Sequence, residues 1–190
     1  MNLGLRHDEV KLADHNSEWD IVAAQTIEQL WGVFGSAAID IQHYGSTSIK
    51  TIKAKPELAI AVGIKSFDVL DKLLPRLEEI GISKTENQST PDIVLCCVTV
   101  EKESGIHTQM VTIQEFGSVS WQNNVNFRNY MNDFPQKAAE YENLKISLAE
   151  RYPNDRKAYK NGKIAYFEKI FIEARKYYES YSPKAESRGI

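Results

Sequence analysis

Apolar positions change period several times along this chain, and each change marks an element. Ala23, Ile27, Leu30, Trp31 and Phe34 recur at helical spacing, predicting a helix over about residues 18–34 with Ser17 as N-cap and Asp20 three residues on. Gly35-Ser36 stops it. From Ala37 to Tyr44 the pattern alternates, with Ile39, Ile41 and His43 on one face and Asp40, Gln42 and Tyr44 on the other, which predicts a strand. Residues 45–55 read as a turn with a short helical piece, and Leu58 to Ile64 as a second strand. Phe67, Leu70, Leu73, Leu74 and Leu77 mark a helix capped by Ser66 and closed by Gly81; Pro75 inside it predicts a kink or break. Ile93 to Val100 is a continuous apolar, β-branched run, and Ile106 to Ile113 returns from a turn at 101–105, so the two should form a hairpin. Residues 10–13 read as a short opening strand.

After Gly117-Ser118 only helical periods remain, over about residues 120–132, 136–151 and 155–180, punctuated by Pro135 and Pro153. Leu144, Leu148, Ile164, Phe167, Ile170, Phe171 and Ala174 supply the apolar faces. The expectation is an α+β fold: one unit over residues 1–181, a mixed sheet with flanking helices within about 10–117, a helical part over about 118–181 packed on it, and a polar, frayed tail at 182–190.

Composition narrows this picture. With 190 residues, 42% of them hydrophobic, the chain can bury one sizeable core. A net charge of −3 does not call for nucleic acid as partner, although a local basic patch stays open. Cys96 and Cys97 are adjacent in a predicted strand and point to opposite faces, so they should neither pair nor share a metal. That usage fits a reduced, cytoplasmic compartment. Met1–Asp8 has no basic region followed by an apolar core, so no signal peptide is expected, and no run approaches a membrane span. The histidines at 7, 15, 43 and 107 form no local metal motif.

The candidate chemistry begins at His43-Tyr44-Gly45-Ser46-Thr47-Ser48. Glycine lets backbone approach a ligand closely, and hydroxyls with nearby N–H groups can bind phosphate oxygens. With Ala54-Lys55-Pro56 downstream, this stretch resembles the GrpB-like (UPF0157) family of the nucleotidyltransferase superfamily, whose signature reads roughly HxGSTSVPGLxxKPxxD. Trp121 with Phe127-Arg128-Asn129-Tyr130-Met131 is similar to the family's W…FRDYL segment. Ala139–Lys145 with Leu148-Ala149 is similar to AxEYxxLKxxLA, and Tyr159 with Lys163 to YxxxK. The resemblance runs in order over about residues 10–178 and implies a nucleotidyltransferase-like α+β fold with added C-terminal helices.

It also implies transfer of a nucleotidyl group from an NTP to a hydroxyl acceptor with Mg²⁺. Gly45, Ser46, Thr47, Ser48, His43 and Lys55 would line the phosphates, and Arg128 and Lys163 would contact them. Alternating acids on the strand after the turn would hold the metal. The acid that follows Lys-Pro in the family falls at Ala59 here, and Ala61 is alanine too. A methyl group cannot ligate a metal, so no metal is expected unless Glu57, of the same parity, substitutes. His107 and Gln109, where the family often has His-x-His-Val, should share a face of the cleft. Either the chain is a degenerate member that binds a nucleotide or phosphorylated metabolite without turnover, or alanine was introduced at 59 to inactivate an enzyme; a third option is an interaction protein with a vestigial cleft. Lys145 and Lys160 read as a solvated helix face, residues 150–160 as a polar helix junction, and Trp121 and Tyr130 as core.

Overall fold

The computed structural model describes residues 3–6, 8–85, 89–101 and 106–181. Helix α1 (Glu18–Phe34) leads into β1 (Ala38–Tyr44), followed by β2 (Leu58–Ile64), α2 (Leu70–Glu79), β3 (Ile82–Lys84), β4 (Ile93–Glu101) and β5 (Ile106–Glu115). The helical part comprises α3 (Val119–Asp133), α4 (Pro135–Arg151), α5 (Arg156–Asn161) and α6 (Ile164–Tyr181). The five strands form one mixed sheet in the order β1-β2-β5-β4-β3, with only the β2–β5 pair parallel. The predicted β4–β5 pairing is present, and most of the turn that joins them, with the tail from Ser182, lies outside the described residues.

Several expectations are corrected. Residues 10–13 form no strand; Ala13 makes a single antiparallel bridge to Ala54. Asn16, not Ser17, caps α1: its Oδ1 accepts from the Glu18 amide at 2.9 Å, whereas Ser17 already has helical backbone angles and no side-chain bond. Helix α2 runs unbroken through Pro75, which stands on the exposed side, where the carbonyl it frees can be hydrated. The last helical segment is two helices, because the chain turns at Gly162-Lys163 where the Leu148 side chain leaves no room for a Cβ on Gly162. Strand β3 is only three residues long, too short to show a period.

Strand β2 is central, and its residues alternate by size. Leu58, Ile60, Val62 and Ile64 join Ile41, Val111 and Ile113 in the core beneath α1 and α2. Ala59, Ala61 and Gly63 occupy the other face, where α3 approaches β1, β2 and β5. Small residues there let α3 lie close: a Cβ on Gly63 would stand 2.9 Å from Trp121 Cζ3 and 3.0 Å from Phe116 Cδ2. A second core, containing Ile49, Ile52, Phe127, Met131, Tyr141 and Ile170, joins the segment after the turn to the C-terminal helices. Trp121 and Tyr130 are both core, as the sequence suggests. Gly63→Val should overpack the contact with α3 and cost about 2–3 kcal/mol, while Ile64→Val on the opposite face should cost about 1 kcal/mol. Urea midpoints of the two variants measure both. Among the described residues no helix is long and apolar enough to cross a membrane.

Candidate phosphate-binding cleft

The turn after β1 is built around Gly45, whose φ of 73° is a region that glycine adopts without strain. Register pairs Tyr44 with Ala59, and a Cβ placed on Gly45 would be 3.2 Å from the Ala59 Cβ. The methyl of Ala59 therefore lies directly beside the turn. Ser46–Ser48 form one 3-10 turn. The Ser48 hydroxyl donates to the Gly45 carbonyl at 2.6 Å, and the Thr47 hydroxyl meets His43 Nε2 at 2.9 Å. Thr47 and Ser48 are buried, at 2% and 8% exposure, so their hydroxyls hold the turn together rather than face a ligand.

His43 sits on the α1 side of the sheet, with Nδ1 3.7 Å from Asp20 Oδ1. Burial lowers its pKa to about 4 against the pull of Asp20, so it is neutral at pH 7 and braces Thr47 without supplying positive charge. Ser46 remains partly accessible, and its hydroxyl lies beside the Tyr141 side chain of α4.

Around Ser46 and Tyr141 the structure gathers cations. Lys145 of α4 is fully buried; its ammonium donates to the Lys53 carbonyl and lies 4.7 Å from the Tyr141 ring centroid. Lys163, between α5 and α6, lies 4.3 Å from the Tyr159 ring centroid and 5.5 Å from that of Phe167. Lys55 donates to Glu57 Oε2 at 2.6 Å, and Arg156 of α5 binds the other oxygen of the same carboxylate. Lys160 is close enough to both Lys55 and Lys163 to act on their charge. Glu57 is thus a lone acid between Lys55 and Arg156. Burial alone would raise its pKa, but the two cations outweigh that and hold it below the usual carboxylate range. Burial lowers Lys145 to about 7, with Glu142 opposing. Burial also brings Lys163 to about 7, aided by repulsion from Lys55, Lys145 and Lys160.

The other predicted site residues are placed elsewhere. Arg128 spends its guanidinium on protein acceptors: Nη1 donates to Gln42 Oε1 and the His43 carbonyl, both at 2.8 Å, and Nε and Nη2 donate to Asn129 Oδ1. It clamps α3 onto β1. His107 and Gln109 do not share a face: Gln109 pairs with Val98 and His107 with Thr99, so the register shift between Val98 and Thr99 turns them to opposite sides. His107 Nδ1 is 3.1 Å from Thr99 Oγ1.

The residues present do not fit a catalytic Mg²⁺. Positions 59 and 61 carry methyl groups, Ala61 is fully buried, and both oxygens of Glu57 are held by Lys55 and Arg156. Asp40, the other acid on this face, accepts from the Ile41 amide and the Gln42 amide group near the far end of β1. Among the described residues no group of three or more His, Cys, Asp or Glu side chains could hold a metal ion.

Lys145, Arg156, Tyr141 and Tyr159 were missed as site residues by sequence reasoning. For Lys145 a signal existed: it shares the helical stripe of Ala138, Tyr141 and Leu148, the buried residues of α4. Nothing local marks Arg156, whose partner Glu57 is 99 residues away.

A mixed sheet with a glycine-serine turn beside its central strand and helices closing over one face is a nucleotidyltransferase-like fold, and solved structures agree. A cytoplasmic RNA terminal U-transferase superposes with a TM-score of 0.52 over 74% of this chain and 43% of that one, at 14% identity, a likeness of fold alone. Residues 9–173 match the model of the family described as GrpB protein, and the chain belongs to the GrpB family. It is 33% identical over 172 residues to the glutamate-rich protein GrpB of Alkalihalophilus pseudofirmus, covering 90% of this chain and 99% of that protein. It is 28% identical over 155 residues to the UPF0157 protein YqkA of Bacillus subtilis, covering 81% of this chain and spanning 44% of YqkA. The crystal structure of the conserved protein GrpB from Enterococcus faecalis superposes with a TM-score of 0.80 at 25% identity, covering 88% of this chain and 99% of that one.

Proposed function

We propose that the cleft between the Gly45-Ser46 turn and helices α4 and α5 binds the phosphate end of a nucleotide or another phosphorylated small molecule, and that this chain does not perform metal-dependent nucleotidyl transfer. The observation that carries this reading is the run of neighbouring cations Lys55, Lys160, Lys163 and Lys145, with Arg156 sharing Glu57 with Lys55, beside Tyr141 and Ser46. Like charges held together in a half-buried site repel one another, and an anion relieves that repulsion. Transfer to a hydroxyl acceptor would need carboxylates to hold Mg²⁺ at the phosphates, and an acid at position 59 is what would supply the first of them.

Lys163→Met keeps the packing of the stem on Tyr159 and Phe167 and removes the charge; Ser46→Ala removes the hydroxyl beside Gly45. Each should weaken binding of ATP, UTP or a sugar phosphate by about 10-fold, the worth of one hydrogen bond to a charged group. Calorimetric titration of the wild type and both variants measures this. If none of these ligands binds the wild type, or if Lys163→Met binds them unchanged, the reading fails.

A further inference from the structure

We infer that the cleft selects a polyphosphate chain in its metal-free form, with lysine ammonium groups in the place that Mg²⁺ occupies in metal-dependent phosphate sites. This rests on the reading of the cleft as a phosphate site and names the class of ligand.

The first argument is charge. Glu57 offsets one of the two cations that hold it, Lys55 and Arg156. Lys160 and Lys163 have no acid of their own in the cluster; Lys145, whose charge Glu142 supports, finds a carbonyl and a ring as its direct partners. Five cations against Glu57 and Glu142 leave a formal surplus of three. A single phosphate monoester brings about two negative charges. A chain of two or three phosphates, with one more charge for each added group, brings about three to four and meets the surplus that a monoester leaves unmet.

The second argument is distribution. The cations come from the segment before β2, from α4, from α5 and from the α5–α6 junction. Lys145 lies against Tyr141 and Lys163 against Tyr159, while Lys55 and Arg156 meet at Glu57, so the cations do not share one compact centre. An extended anion can reach several of them at once.

The third argument concerns the metal. A magnesium-escorted triphosphate arrives with half its charge neutralised and needs a carboxylate for the ion. Here the side chain facing Gly45 is a methyl, and Glu57 already has a cation on each oxygen. Mg²⁺ beside uncompensated ammonium groups is repelled. Burial keeps Lys145, and burial with repulsion from neighbouring lysines keeps Lys163, only partly protonated near neutral pH, so an anion that restores their charge should draw protons from solution as it binds.

The test is calorimetric titration of the full chain with orthophosphate, pyrophosphate, tripolyphosphate and ATP in EDTA, then again in excess MgCl₂. Affinity should rise about 10-fold or more with each added phosphate, and excess Mg²⁺ should weaken tripolyphosphate and ATP by at least about 10-fold. At pH 8 the binding enthalpy should differ between buffers of different ionisation heat, reporting proton uptake, and Lys163→Met should reduce that difference. Equal affinity for orthophosphate and tripolyphosphate, or tighter binding with Mg²⁺, would overturn the inference while leaving the phosphate site intact. Failure of every phosphate to bind, with and without Mg²⁺, would remove the site itself.

Discussion

The folded protein is expected to gain about 3 kcal/mol of stability between pH 7 and pH 9, seen as a rising urea midpoint. Lys145 and Lys163 have pKa values lowered from 10.5 to about 7 in the folded chain. Between those values the unfolded chain binds more protons than the folded one, so stability is reduced at pH 7 and recovers as pH rises. Each fully differential group contributes at most about 1.4 kcal/mol per pH unit, a ceiling of about 5.6 kcal/mol for two lysines over two units. Partial titration near pH 7, and the solvent that reaches Lys163, lower that to about 3 kcal/mol. Above pH 9 the trend should level and reverse. Burial pushes the Cys96 thiol up to about 11 and also raises Tyr141 and Tyr159, so the unfolded chain then loses protons that the folded chain keeps. Lys145→Met retains the stem against Tyr141 and removes the titration, so its stability curve should be flatter by about half. A wild-type midpoint that stays level from pH 7 to 9 would mean that both ammonium groups are charged in the folded state.

The second large effect is expected from Ala59→Asp. The Ala59 methyl lies beside Gly45, and the residue is not fully buried, so a carboxylate there would face whatever the turn binds. Mg²⁺ is held well by one carboxylate together with phosphate oxygens and waters. The response to magnesium should therefore change sign. Where excess Mg²⁺ weakens ATP binding to the wild type, it should strengthen binding to Ala59→Asp by about 10-fold, and Ala59→Asn, equal in size but uncharged, should behave as the wild type. Turnover should not follow, because Ala61 still denies the strand a second acid and is sealed from solvent. Labelled nucleotides offered with hydroxyl acceptors would reveal any transfer. An Ala59→Asp variant whose binding is still weakened by Mg²⁺ would place the phosphates away from position 59.

The residues of the turn and the residues of the cluster differ in how legible they are in the sequence. The large and small positions of β2 alternate along the chain itself, so spacing alone separates the two faces of the central strand. The same period misleads at His107 and Gln109, because alternation assumes an unbroken ladder and the register shift opposite Val98 and Thr99 breaks it. Thr47 and Ser48 look like ligands in a line of hydroxyls, but a 3-10 turn rotates successive side chains, and these two point back into protein. Arg128 reads as a free cation until its acceptors on Gln42 and His43, more than eighty residues earlier, are in view.

What the sequence determined by itself was local: the periods of the helices and strands, the glycine at the turn, the chain-long pattern of the family, and the absence of an acid at position 59. These follow from spacing and residue type within a few positions. Where charge collects was decided only by the tertiary structure. It brings Lys55 and Arg156 together on Glu57 from segments about a hundred residues apart and sets Lys160, Lys163 and Lys145 in a run beside them, and burial lowers the pKa of Lys55, Lys145 and Lys163. Electrostatic energy depends on distance in space and on exclusion of water, and neither is a property of neighbouring positions along the chain.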